Sequence, residues 1–241
     1  MITRGTDKKD GLLRYGTLNS ERVPLKGVLL LLLSVDAAFI VVFIVSRVLY
    51  PGEESNFGLE HESGYPAMFQ YGEQALIVLL MTIAAVRNRS LLYLCWSLLF
   101  LYLLLDDFLM IHETLGVLVS QELSFSRWLG LRRRDFGELV VWLFFGSVLL
   151  PPIAILHILC RGSTSAQWSR YLLITLGALV LTGGVFDMLG VIVGAVVRDY
   201  PLLSALSIVA DDGGEMVVWS VTLWIVLLIA RENLNSWINC R

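Results

Sequence analysis

Residues 90–119 read SLLYLCWSLLFLYLLLDDFLMIHETLGVLV. An apolar run of this length is the signature of a membrane-crossing helix, because about 20 helical residues span the hydrocarbon core. The run nevertheless carries Asp106, Asp107, His112 and Glu113. A charge at the centre of a bilayer costs at least ~2.5–3.5 kcal/mol on insertion scales. Such groups must face one another, water or a bound cation, and not lipid.

The rest of the chain extends this pattern. Of 241 residues, 56% are hydrophobic and 16% charged, and the mean hydropathy is +0.73. Soluble chains carry ~25% charged residues. Six apolar runs stand out: Leu25–Tyr50, Tyr71–Val86, Ser90–Val119, Phe136–Leu159, Tyr171–Val197 and Ala205–Ala230. The second is short and needs flanking residues to span. The expected fold class is all-α, a polytopic helical membrane bundle of six transmembrane helices over residues 25–230. Residues 1–24 and 231–241 then form polar terminal segments. The first run is too long for a signal-peptide core and lacks a small-x-small cleavage site, so it should stay as a helix. Cys95, Cys160 and Cys240 are scattered, which argues against a disulfide framework or a thiolate metal site. No basic patch with interleaved aromatics points to nucleic acid. The partners left are membrane lipids, a second copy of the chain, or a larger membrane complex.

Six spans put both termini on one side. Twelve of the eighteen basic residues fall there: Arg4, Lys8, Lys9, Arg14, Arg22, Lys26, Arg87, Arg89, Arg161, Arg170, Arg231 and Arg241. Arg47, Arg127, Arg132, Arg133, Arg134 and Arg198 fall on the other. The positive-inside rule then places the termini in the cytoplasm, in a bacterial inner membrane. The Arg132–Arg134 triplet runs against that orientation. Folded over the mouth of a site, it would instead counter the charge of nearby carboxylates. Counted by depth, Asp106 lies roughly 24 Å along the third run at 1.5 Å per residue. Glu138 opens the fourth run, Asp187 lies well up the fifth, and Asp211, Asp212 and Glu215 lie in the first half of the sixth. These acids gather in the outer half, with Asp36 alone near the middle. A site reached from one face fits that distribution better than a continuous pore.

Two segments echo each other. Glu113-Thr-Leu-Gly-Val-Leu-Val precedes Gly137-Glu138-Leu-Val-Val-Trp142, and Asp187-Met-Leu-Gly-Val-Ile-Val precedes Gly214-Glu215-Met-Val-Val-Trp219. A hairpin repeat would explain both, and Gly72-Glu73 could be the remnant of a third. Chance matching of Leu/Val-rich helices is the alternative.

Helical spacing groups the acids further. On a continuous third helix, Asp106 and Glu113 would stack two turns apart, while Asp211, Asp212 and Glu215 share about one turn. His112 finds no polar partner on its own face and must find one on another helix or in water. Asp106, Asp107, His112, Glu113, Glu138, Asp187, Asp211, Asp212 and Glu215 are therefore the candidate ligands of a cation. Carboxylates suit Mg, Ca or Mn, and an imidazole admits Fe or Zn. The other chemistry is protonation, since clustered carboxylates cannot all ionise. Simpler roles compete: Glu73 and Glu138 as helix-start carboxylates, Asp211 or Asp212 as a cap after a break near Ala210, Asp36 paired inside the bundle. His61 and His157 read as surface or interfacial, and tryptophans such as Trp128 and Trp142 as interfacial belts.

Leu105-Asp106-Asp107 with His112-Glu113 resembles the "LDE…IHE" pattern of an uncharacterised family of bacterial multi-pass membrane proteins. Asp211-Asp212-Gly-Gly-Glu215-Met216 resembles that family's later "EE…EM" pattern. The likeness covers roughly residues 100–230, and Asp107, Asp211 and Asp212 replace Glu. It implies that these residues form one site and carries no activity with it. The leading expectation is a cation site, divalent metal before protons. One rival is a membrane-embedded metalloenzyme acting on a lipid or quinone; another is an accessory subunit of a membrane complex, its acids structural.

Overall fold

The computed structural model describes residues 25–50, 56–123, 131–197 and 201–239. The segment 1–24, with its five basic residues, and Glu53, Glu54, Arg127, Trp128, Arg198, Cys240 and Arg241 lie outside the described residues. Among the described residues the regular elements are helices and no strand forms. In chain order they are α1 (Leu25–Leu49), α2 (Tyr65–Asn88), α3 (Leu91–Leu109), α4 (Ile111–Glu122), α5 (Arg133–Leu159) and α6 (Thr164–Leu179). A π-helix, π1 (Val180–Phe186), leads into α7 (Asp187–Val197). After α8 (Pro201–Ile208), a second π-helix, π2 (Val209–Gly213), leads into α9 (Gly214–Asn239).

Six helical stretches are long and apolar enough to cross a membrane: Leu25–Leu49, Tyr65–Asn88, Leu91–Leu109, Arg133–Leu159, Thr164–Ile192 and Leu202–Asn233. The second reaches full length by starting at Tyr65, where Pro66 supplies a first-turn residue whose missing N–H would be unpaired anyway. It ends in a left-handed Arg89, and Ser90 then caps α3 by accepting from the Tyr93 N–H. The last helix continues past Ala230 to Asn239 without a break.

The third span corrects the expectation of one helix from Ser90 to Val119. Met110 takes a left-handed conformation (φ 51°, ψ 45°), closing α3 and opening α4. A left-handed non-glycine residue costs about 1 kcal/mol. Asp106 offsets that cost. Its Oδ1 accepts from the backbone N–H of His112 at 2.8 Å, satisfying an otherwise orphaned donor and placing an acid at the N-terminal dipole of α4. Beyond the break α4 packs along α5. A Cβ on Gly137 would lie 1.9 Å from the Gly116 carbonyl oxygen, so these two helices meet backbone to backbone.

Helix α9 is the hub. Half of its apolar window is buried, against 11% for α1 and α5, and it packs on α1, α2 and α6. One core joins Trp96, Phe100, Leu172, Trp219 and Ile229; a smaller one joins Phe43, Leu59, Ala205 and Met216. Leu31, Leu143, Leu159 and Ile174 point outward. In lipid such exposure carries no penalty, and the bundle is held by close packing and polar contacts between helices. Half-buried His157 makes one such contact: its Nδ1 meets Ser169 Oγ, which accepts from Trp96 Nε1 at 2.9 Å. The opposite end of the bundle, where α2, α5 and α9 begin and α3 ends, holds the acids.

Candidate functional site

At that end, one cavity of about 510 Å³ is lined by Asp106, Asp107, His112, Glu113, Glu138, Asp187, Asp211, Asp212 and Glu215 together. This is the size range of small-molecule sites. The nine candidates thus share one chamber, with Glu113 and Glu215 on the same cavity and not on opposite faces. Its walls also include His61, Glu62, Gln70, Tyr71, Arg132, Arg134 and Trp142, and its deeper lining turns apolar at Leu99, Leu149 and Leu176.

The break at Met110 decides the first half of the site. Asp106 and Glu113 do not stack along one helix, as continuous spacing would require. Instead Asp106 Oδ2 meets His112 Nδ1 at 3.0 Å. The partner of His112 lies six residues back in its own segment, brought into reach by the turn. With Nδ1 held by a carboxylate, Nε2 is the nitrogen left to meet a proton or a metal ion. Burial lowers the His112 pKa, but the hydrogen bond to Asp106 and the charges of Asp106, Glu138 and Asp107 outweigh it, so the net shift is upward from 6.5.

Arg134 donates to both Glu113 and Glu138, tying α4 to α5. Arg132 pairs with buried Asp135 at 3.0 Å and completes a capping box. Two arginines of the triplet therefore do face the carboxylates. Glu138 is not a helix-start charge but the i,i+4 partner of Arg134. Trp142 turns inward and lines the cavity: its ring packs edge-on against His112, centroids 5.5 Å apart, and its buried indole N–H has no acceptor among the described residues.

The second half is built by the π-helices, which pack on each other. Gly183 and Gly184 of π1 allow two close approaches. A Cβ at Gly183 would fall 2.8 Å from Glu215 Oε2, and one at Gly184 would fall 3.0 Å from the Trp142 ring. Glu215 Oε1 accepts from Gln70 Nε2 and Trp219 Nε1, each at 3.1 Å. Asp107 Oδ2 accepts from Gln74 Nε2 at 2.6 Å, and Glu62 Oε2 accepts from Tyr71 at 2.6 Å. Asp211 and Asp212 sit inside π2, so they do not cap a helix after a break at Ala210. Among the described residues, Asp187, Asp211 and Asp212 accept no side-chain hydrogen bond and form no ion pair. Asp187 and Asp211 are near enough to Asp212 for their charges to act on it, as are Glu62 and Glu215.

Among the described residues, no three His, Cys, Asp or Glu side chains are arranged to grip one metal ion. A cation here would be held by charge and by its own water as much as by direct ligands. In the sequence Glu62 is passed over, and His61 reads as surface or interfacial, because both sit in a polar loop. Gln70 and Gln74 had a readable signal, since residues four apart share a helix face. The echo between Glu113–Trp142 and Asp187–Trp219 does not extend to contacts: Gly116 abuts Gly137 and Glu138, whereas Gly190 faces Ser207 and Gly214 faces Thr182.

No curated protein sequence and no solved structure matches the chain. A family model described as a domain of unknown function, DUF8692, matches residues 63–230, and the chain belongs to that family.

Proposed function

We propose that this member of the DUF8692 family is a bacterial inner-membrane protein, termini cytoplasmic, whose cavity binds a divalent cation on the outer side. The observation that carries the reading is the trio Asp187, at the end of π1, and Asp211 and Asp212, inside the abutting π2: all three line the cavity, and among the described residues none accepts a side-chain hydrogen bond or forms an ion pair. π-helical turns concentrate at functional sites. Hard oxygen ligands suit Mg, Mn or Ca, and an ion that keeps part of its water fills a chamber far larger than a bare ion. His112, oriented by Asp106, would admit Fe or Zn. Protons are the alternative occupants, in which case the cavity is a relay and not a metal site.

The test is the melting temperature of the protein in detergent, with each divalent ion and with chelator. A cation that binds the folded state raises stability in proportion to the logarithm of its concentration. Asp211→Asn/Asp212→Asn should abolish the rise. A wild type indifferent to every divalent ion and to chelator would overturn the metal reading.

A second reading is favoured by the Asp106–His112 dyad together with the apolar deeper wall. It makes the cavity a metalloenzyme site for a lipid or quinone head group. Turnover of such a substrate lost in His112→Gln but retained in Asp36→Asn would support it.

A further inference from the structure

A second pair of acids lies away from the cavity. Asp36, near the middle of α1, has no exposed surface, and Glu73 on α2 is 4% exposed. Ser220 on α9, also fully buried, donates its hydroxyl to Glu73 Oε1 at 2.8 Å. None of the three lines the cavity. Glu73 is the ninth residue of its helix, so it is no N-terminal charge, and Asp36 is close enough for the two carboxylates to interact.

Donor counting decides what the pair needs. Two carboxylates offer four acceptor oxygens and no donor. Ser220 also adjoins Asp36, but its single hydroxyl proton is spent on Glu73. Asp36 Oδ1, Asp36 Oδ2 and Glu73 Oε2 are left buried and without partners among the described residues. No cation relieves them among the described residues. The basic residues of these helices stand at least eleven positions along the chain from the pair, Lys26 excepted at ten, and Arg47 is paired with Glu60. The nearer charges are acidic and turned to the cavity: Glu215 on α9 bonds Gln70 and Trp219, Asp211 and Asp212 lie on π2, and Gln74 beside Glu73 reaches to Asp107. Three free oxygens are too few for a divalent ion, which takes six or more ligands. A proton on either carboxyl removes one buried charge and turns an acceptor into a donor.

We propose that Asp36 and Glu73 form a separate binding site inside the bundle whose ligand is a proton carried by this buried pair of carboxyl groups. Ionisable residues at this depth mark proton relays in other membrane proteins. The site does not depend on what the cavity binds.

Infrared spectroscopy tests the pair directly. In the full-length protein at neutral pH, the difference between wild type and Asp36→Asn/Glu73→Gln should contain a protonated-carboxyl C=O band that shifts in heavy water. The band should persist with chelator and in the Asp211→Asn/Asp212→Asn background, which separates it from the cavity. Ser220→Ala keeps the packing and removes the donor to Glu73. It should move the band to higher frequency, and it serves if the double variant does not fold. Absence of the band in the difference spectrum, an unmoved band in Ser220→Ala, or a band that vanishes when sodium is added at constant pH would each overturn the proposal.

Discussion

The two halves of the cavity treat the same kind of residue in opposite ways. On the α4–α5 side each acid has a named counterpart: His112 for Asp106, Arg134 for Glu113 and Glu138, Arg132 for Asp135. On the π1–π2 side, Asp187, Asp211 and Asp212 form no ion pair and accept no side-chain hydrogen bond among the described residues, although the charges of Arg132 and His112 act on Asp187 from a distance. A carboxylate closed off from water must be compensated or it destabilises the fold. The first side is compensated from within and reads as scaffold. The second is not, and under the proposed function it is the side that meets the ligand.

The contrast breaks most severely at Gly137. Gly137→Val would drive side-chain carbons into the Gly116 backbone, which cannot step aside as a flexible side chain would. Overpacking of this kind costs about 3 kcal/mol or more. Thermal denaturation should show a loss far larger than Gly72→Val gives, since a Cβ at Gly72 meets nothing. Equal losses would mean that α4 and α5 are not in backbone contact.

Removing Arg134 should come next. Arg134→Leu leaves Glu113 and Glu138 unpaired; because Arg134 is 41% exposed, the penalty is about 1 kcal/mol and not that of a fully buried pair. Glu113→Gln/Glu138→Gln in the same background should restore the melting temperature. If it does not, the arginine acts by packing alone.

On the other side the sign should reverse. Asp212→Asn removes a charge from a like-charged group, so without added cation it should raise stability by about 0.5 kcal/mol, and with cation it should remove the ligand-induced gain. Destabilisation in both conditions would place Asp212 with the scaffold.

The smallest effect is a pH dependence. The folded-state pKa of His112 lies above its ordinary 6.5, so its contribution is full below pH 6.5 and drains away as pH rises through the higher value. The melting temperature should fall across that window in wild type and stay flat in His112→Gln.

The six spans were legible because apolar length is read directly, and the gathering of the acids because lipid excludes them. The break was not: Met has no preference for a left-handed conformation, and only the reach of Asp106 across the turn makes it tolerable. With the break hidden, the pairing of His112 was hidden too. That the arginine triplet counters carboxylates was readable, but not that Glu113 is a partner of Arg134, because Glu113 comes from α4 after it has turned back onto α5. The π-helices leave little trace beyond Gly183-Gly184 and Gly213-Gly214, since a wider turn is settled by the chain's neighbours and not by its residue types.

A π-helical segment also sets the phase of everything that follows it. Successive residues of an α-helix are about 100° apart around the axis. Deleting one residue from Val209–Gly213 would let the hydrogen-bond ladder close as an α-helix, with every side chain of α9 rotated by about that angle. Glu215, Trp219 and Ser220 would swing together from the inner face of the bundle towards lipid, with no side chain among them altered. The orientation of both acidic sites is therefore held in the count of residues before α9, and a scan of single substitutions would pass over it.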